Sequence, residues 1–527
     1  MSATVSELKF TPVGDIPSIA SKVRAGFSAQ TTKPLEYRIK QLRKLYWAIV
    51  DNEAAIIEAT KWDLGKSKYE TYLTEIDWCK NDIIFVCNNL KKWAKDEPAP
   101  DMDLTNKFLS PKIRKDPLGC VLIIGTYNFP FQLSIGPLIG AIAGGNTAVL
   151  KPSENAPAVA VIIERVMNAA LDPSCFACIQ GAIPETTALL NEKWDKIFYT
   201  GSANVGKIIA KKAAETLTPV TLELGGKNPA IITKNADLKT AARRMLWGKT
   251  FNSGQVCISQ NYHLIEEEAV PGFLKELEKS MKEFYPNGAK ASPDYGRIIN
   301  ERQWQRLKKM IDDSKGKILM GGTMDEKEKF LEPTVIQVDD INDSLISEES
   351  FGPILTIFPV KNLDEAIRIA NEVQATPLGA YPFGTRAETD RVLNELRSGG
   401  ASVNDAFFHG SIPTMPFGGV GESGYGSYRG KASFDCFTHR RSIVSTPRWL
   451  EAMMSVRYPP YEKKFDGMQK MLAKKPNFDR EGNDKMGVLT YLLTLGSGTA
   501  TGGLTRYAVL VLAAAGLKQY MDRRAKL

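Results

Sequence analysis

From Pro34 onward the apolar residues Leu35, Ile39, Leu42, Tyr46 and Ile49 recur at spacings of three and four with charges between them. That period belongs to an amphipathic helix with one buried face, and Pro34 suits its first turn, where a missing N–H matters least. Further helices are predicted over Ala54–Asp63 and Tyr72–Trp93. The pattern then changes character. Cys120 to Gly125 is a continuous apolar run ending in glycine, as expected of a parallel strand buried on both faces. A helix near Leu133–Ala143, a Gly144-Gly145-Asn146 turn and a strand Thr147–Lys151 follow. Then come a helix Ala156–Ala170, a strand Phe176–Gln180, a short helix Thr186–Leu190 and a strand Lys196–Tyr199. Such alternation implies an α/β protein with a doubly wound parallel sheet.

The chain has 527 residues, too many for one core, and its 43% hydrophobic and 24% charged residues are those of a folded globular protein. Seven scattered cysteines fit reduced thiols, and Cys175-Phe176-Ala177-Cys178, despite its redox spacing, reads as a buried strand. There are only three histidines, none at ligand spacing from another, so no metal is expected. The N-terminus lacks a basic start followed by an apolar stretch, which predicts an intracellular protein. The charge of +8 is localised: from Arg441 to Leu527 there are 15 Lys and Arg against 7 Asp and Glu, which is the whole excess. A balanced body argues against nucleic-acid binding, and a basic tail suits an anionic surface. Residues 486–517 are largely uncharged but are interrupted by Arg506 and by the glycines between 496 and 503. They read as two short pieces suited to lying in a membrane leaflet, or as a helix packed on a dimer partner.

Two short segments carry the chemistry. Leu222-Glu223-Leu224-Gly225-Gly226-Lys227 supplies a carboxylate before a Gly-Gly pair through which the chain can pass close to a ligand. Phe251-Asn252-Ser253-Gly254-Gln255-Val256-Cys257 supplies a thiol just past a turn. A nucleophile with a candidate base predicts acyl-enzyme chemistry. The strand ending at Tyr199 runs into Thr200-Gly201-Ser202-Ala203-Asn204-Val205-Gly206, and a helix is predicted over Lys207–Leu217. Strand, glycine turn and helix form a phosphate-binding arrangement, although the spacing is not the usual Gly-x-Gly-x-x-Gly.

Together the Glu223 and Cys257 segments resemble the active-site segments of aldehyde dehydrogenases, and the resemblance runs from roughly residue 10 to residue 445. It implies an aldehyde dehydrogenase-like fold. A Rossmann-type NAD domain would span 1–221, interrupted near 96–116 by a bridging β segment, with a catalytic domain over 222–415, a bridging or oligomerisation segment over 416–446 and a basic tail over 447–527. By the same resemblance Cys257 is the nucleophile, Asn128 the oxyanion amide and Glu223 the base that hydrolyses the thioester. Lys151 and Glu154 hold the adenine-side ribose, Gly201, Ser202, Val205 and Gly206 form the phosphate turn, Glu349 holds the nicotinamide-side ribose, and Phe351 packs near that ring. Glu154 would repel a 2′-phosphate, so NAD is favoured with NADP possible. The glycine-rich stretch 416–426 is implied to be a structural crossing. Residues 430–439 point to the class 3, fatty-aldehyde branch, which implies a homodimer and a C-terminal membrane anchor. The implied substrate is a long-chain hydrophobic aldehyde, either a fatty aldehyde or, by similarity to fungal apocarotenal dehydrogenases, an apocarotenal. A CoA-acylating dehydrogenase and a non-catalytic protein on this fold are the alternatives.

Overall fold

A computed structural model describes residues 7–100, 104–474, 476–483, 492–493 and 500–524. The chain divides into two compact units, Met1–Asp103 with Ser110–Val444, and Leu104–Leu109 with Ser445–Leu527.

The first unit contains two large sheets. In one, the strands run in the order Phe176–Cys178, Thr147–Lys151, Cys120–Ile124, Lys196–Gly201, Val220–Leu224, all parallel. Gly424–Tyr425 closes the edge antiparallel, with Gly424 opposite Glu223. All five residues of Cys120–Ile124 are buried. The strand repeat of two sends Val121 and Ile123 into one apolar cluster and Cys120, Leu122 and Ile124 into the cluster on the opposite face. Strand order reverses on either side of Cys120–Ile124, so the carboxyl ends of this strand and of Lys196–Gly201 flank the crevice where such sheets bind ligands. Helix Gln132–Gly144, buried at every position, starts from that crevice.

The second sheet has the order Lys317–Met320, Thr334–Gln337, Ile354–Val360, Gln260–Glu266, Asn228–Ile232, Gly379–Phe383, Gly400–Ala401, and only its Lys317 edge is antiparallel. The chain passes from the first sheet to the second through Gly225-Gly226-Lys227 alone. A third, antiparallel sheet joins Glu97–Pro98 and Lys112–Pro117 to Thr438–Ile443.

Several elements differ from the sequence expectation for local reasons. The helix predicted over Tyr72–Trp93 is continuous only from Asp77. Tyr72–Ile76 is a π turn preceded by helix Lys68–Thr71, and the extra residue in that turn changes which side chains face inward. The helix predicted from Lys207 begins at Ala203, because the Ser202 hydroxyl caps the Val205 N–H. It ends at Ala214, and Leu217 lies beyond it in a left-handed conformation. The strand expected to reach Gln180 stops at Cys178, and the short helix extends over Ile183–Asn191. Cys175 is buried, Cys178 is half-buried, and both are free thiols.

In the second unit, Phe108 packs edge-on against Trp449. Helix Ala500–Arg524 runs through Gly502, Gly503 and Arg506, so the expected break does not fall at these residues, where neither two glycines nor one arginine stops a helix of 25 residues; Gly496 and Gly498 lie outside the described residues. Residues 484–491 and 494–499, which include part of the segment expected at the membrane, lie outside the described residues. Among the described residues no helix is long and apolar enough to cross a membrane.

Candidate active site

Three loops meet where the two sheets face each other. The first leaves strand Cys120–Ile124 and carries Asn128, which is buried. The Asn128 Nδ2 donates to Gln255 O at 3.1 Å, while its backbone carbonyl accepts from Asn252 Nδ2 at 2.9 Å and from Lys66 Nζ at 3.3 Å. The predicted amide therefore lies against the Cys257 loop, with one Nδ2 hydrogen committed there and the other available.

The second loop leads to Cys257. Asn252, Ser253 and Gly254 all have positive φ, at 51°, 52° and 72°. Left-handed backbone at two consecutive non-glycine residues is strained and persists only where its surroundings hold it. Here Gln255 supplies the hold: its Nε2 donates to Asn252 O and Arg297 O, and its Oε1 accepts from Ile299 N–H. Beyond the turn, Asn228 Nδ2 donates to the carbonyls of Cys257 and Ser259. Gly254 is required twice over, by its φ and because a Cβ would stand 2.2 Å from Gly352 O. The half-buried Cys257 thiol is pushed up to about 12 by desolvation first, then by the carboxylates of Glu349 and Glu223. The N–H groups of Ile258 and Cys257 oppose this by favouring the thiolate. Without ligand, Cys257 is the protonated thiol at neutral pH.

Glu223 lies one residue before the end of the strand Val220–Leu224 and is buried, with no hydrogen-bond partner for either carboxylate oxygen. Burial raises its pKa well above 4.5. The Gly419 N–H opposes this slightly without closing a hydrogen bond of normal geometry. The glycine-rich stretch expected to be only a crossing thus also covers the candidate base, through Gly419 and through Gly424 opposite Glu223.

The third loop precedes strand Ile354–Val360. The Glu349 Oε1 accepts from Gly226 N–H at 3.1 Å, and a Cβ on Gly225 would stand 2.4 Å from that carboxylate. The Gly-Gly pair, expected to let the chain approach a ligand, admits Glu349. Desolvation lifts Glu349 to about 7 against the opposing pull of the Gly226 N–H, Arg306 and Lys249. Arg306 fixes this loop by donating to the carbonyls of Glu349 and Ser350. Phe351, at φ 49°, sets its ring edge-on to Tyr127 with centroids 5.9 Å apart.

The dinucleotide residues line the carboxyl edge of the first sheet. The Lys151 Nζ donates to Glu154 Oε2 at 3.0 Å and to Pro152 O. Ser202 is exposed at the helix N-terminus, Gly201 half-buried, Gly206 buried, and Val205 an exposed apolar side chain. A lysine–carboxylate pair, an exposed apolar residue and a helix start at the switch point fit a dinucleotide.

Sequence reasoning missed Lys249 and Glu70. Lys249, in the last turn of helix Leu238–Thr250, is fully buried, donates to Ser350 Oγ at 3.3 Å and is lowered to about 7 by desolvation. The carboxylate of Glu70 accepts from Asn252 N–H. Nothing in the neighbouring residues marks either one as part of a site.

A thiol near two carboxylates, at the mouth of a doubly wound sheet, fits the class of nicotinamide-linked oxidoreductases. The chain belongs to the aldehyde dehydrogenase family, whose description its residues 3–443 match, and it is accordingly an NAD(P)-dependent aldehyde dehydrogenase. It is 50% identical over 525 residues to the beta-apo-4′-carotenal oxygenase of Neurospora crassa, covering 99% of this chain and 98% of that one. It is 41% identical over 449 residues to a mouse protein, "aldehyde dehydrogenase, dimeric NADP-preferring", covering 85% and 98%. Among solved structures, the substrate-bound Staphylococcus aureus AldH superimposes with a TM-score of 0.84 at 41% identity, covering 87% of this chain and 99% of that one.

Proposed function

We propose that the protein oxidises long-chain hydrophobic aldehydes, fatty aldehydes or an apocarotenal, to carboxylic acids, with NAD as the preferred acceptor and NADP accepted. The observation that carries the chemistry is the convergence of Cys257, Glu223 and Asn128 from two different sheets. An aromatic wall supports the substrate class: the Trp247 ring packs at a tilt against Phe251 and Phe407, with centroids 5.2 and 4.8 Å apart, and Phe129 adjoins Phe251, in the same apolar cluster as Cys257. The name of the Neurospora relative points the same way.

Cys257 gives its proton to solvent water and its thiolate sulfur attacks the aldehyde carbon. The second Asn128 Nδ2 hydrogen and the Cys257 backbone N–H receive the developing oxyanion. The dinucleotide, held by Lys151, Glu154, the Gly201–Gly206 turn, Glu349 and Phe351, supplies the hydride acceptor when bound. The thioester left on Cys257 is hydrolysed by a water that Glu223 deprotonates, releasing acid and thiol. Glu154 favours NAD by repelling a 2′-phosphate, but the Lys151 ammonium at 3.0 Å partly neutralises it, which makes the preference incomplete.

The same reading assigns cofactor binding to 1–221, catalysis to 222–415 and bridging to 416–446, and it makes the protein a homodimer, in line with the word dimeric in the name of the mouse relative. Residues 447–527 are assigned as a basic tail, with the segment 486–517 within it attaching to a membrane. Val509, Leu510, Val511 and Leu512 are all exposed on helix Ala500–Arg524, and Lys518, Arg523 and Arg524 follow, a combination suited to an anionic lipid surface.

The test is the appearance of reduced cofactor when the protein is mixed with short-chain aldehydes, long-chain aldehydes or an apocarotenal, with NAD and NADP in parallel. Long hydrophobic substrates should have the higher kcat/KM, and Cys257→Ser should be inactive. Normal turnover by Cys257→Ser, or indifference to chain length, would overturn the reading.

A further inference from the structure

Residues 65–75 carry none of the reacting groups, yet they grip both loops that do. The Lys66 Nζ donates to Glu75 Oε1 at 2.7 Å and to Asn128 O at 3.3 Å, and lies 4.4 Å from the centre of the Phe129 ring. This ion pair is fully buried, at 1% and 0% side-chain exposure. The other oxygen of Glu75 accepts from the N–H groups of Phe131 and Gln132, where helix Gln132–Gly144 begins. Every charge in the pair is thus compensated, the condition under which a buried pair fixes geometry. Glu75 belongs to the π turn Tyr72–Ile76.

The same segment reaches the nucleophile loop. The Glu70 Oε2 accepts from Asn252 N–H at 3.1 Å, at the first of the three left-handed residues before Cys257. The Asn252 Nδ2 then spans the two loops, donating to Asn128 O at 2.9 Å and to Gln255 O at 3.0 Å. From Glu70 to Asn252 to Asn128 is an unbroken path of direct hydrogen bonds.

We propose that Glu70, backed by the Lys66–Glu75 pair, is a positioning residue that sets the Asn128 amide relative to Cys257 by holding Asn252. The proposal rests on the reading of Asn128 as oxyanion donor. Without the Glu70 carboxylate, the buried Asn252 N–H has no acceptor and the left-handed turn can relax, moving Asn128 with it.

The test is a double-mutant cycle on the full-length protein, reading kcat, KM for a long-chain aldehyde and the dissociation constant for NAD. Glu70→Ala should lower kcat by about 10- to 100-fold, the penalty of displacing a reacting group by a fraction of an ångström to 1 Å, and leave KM and NAD binding unchanged. Glu70→Gln keeps an oxygen that can accept from Asn252 and should restore most of kcat. In an Asn128→Ala background, Glu70→Ala should lower kcat by no more than about twofold further, the margin within which independent effects are read. Equal losses in both backgrounds, or wild-type kcat for Glu70→Ala, would overturn the positioning role. Wild-type kcat for Asn128→Ala alone would overturn the oxyanion assignment itself, a different failure. If Glu70→Ala does not fold, Glu70→Ser, too short to reach Asn252, takes its place.

Discussion

Replacing Glu223 by Gln separates the two halves of the proposed reaction. In the native protein neither carboxylate oxygen has a hydrogen-bond partner, so the substitution breaks no bond. The new amide is as unsatisfied as the acid it replaces, and stability at neutral pH should change by no more than about 1–2 kcal/mol. Attack by Cys257 and loss of hydride do not use this group, whereas water activation does. A positioned general base is worth about 10²–10⁴-fold, so steady-state turnover should fall by that factor while a first burst of reduced cofactor, equivalent to one per subunit, survives. The pH dependence follows from burial, which raises the Glu223 pKa well above 4.5. Burial favours the protonated form of Glu223 in the free protein, so turnover limited by deacylation should climb as pH rises and the base form accumulates; the Gln variant should lack that rise. The stability effect has the opposite slope. A raised folded pKa contributes stability that is full below 4.5 and is lost as pH climbs through the raised value. Glu223→Gln should therefore be the more stable protein in alkaline solution. Stopped-flow measurement of the burst, steady-state rates across pH and thermal melts check all three. Loss of burst and turnover together would refute deacylation as the role of Glu223, as would unchanged turnover.

Asn128→Ala should cost about 3 kcal/mol of transition-state stabilisation, or roughly 100-fold in kcat. It should melt near the wild type, because Gln255 O keeps its bond from Asn252 Nδ2 and the other contacts of Asn128 go to its backbone carbonyl. Glu154→Gln leaves the Lys151 ammonium without its carboxylate and should raise kcat/KM with NADP relative to NAD by about tenfold, equivalent to ~1.4 kcal/mol. Deleting residues 486–527 should abolish co-sedimentation with vesicles of anionic lipid while sparing activity towards a short soluble aldehyde; unchanged sedimentation would remove the tail from membrane attachment.

The first sheet was legible because strands buried on both faces leave unbroken apolar runs: Cys120–Ile124 and Thr147–Lys151 are the elements their sequences predict. The start of the helix at Ala203 was not, since a serine cap and a turn share the same residues until Ser202 is seen accepting from Val205. Lys249 is an unremarkable lysine on paper, in a helix that also contains Arg243 and Arg244, yet it is the one folded against Ser350 and Glu349.

The sequence by itself determined the fold class, because buried strands are written in neighbouring residues, and through its resemblance to aldehyde dehydrogenases it nominated the thiol, carboxylate and amide of the proposed site. What only the tertiary structure decided is how these groups are held and charged. Gly226 meets Glu349 across 123 residues and Asn252 meets Glu70 across 182. The raised pKa values of Cys257 and Glu223 come from desolvation and from carboxylates brought near the thiol by folding. Contacts over such separations leave no local period in a chain, and burial is a property of the packed molecule, not of the residue that undergoes it.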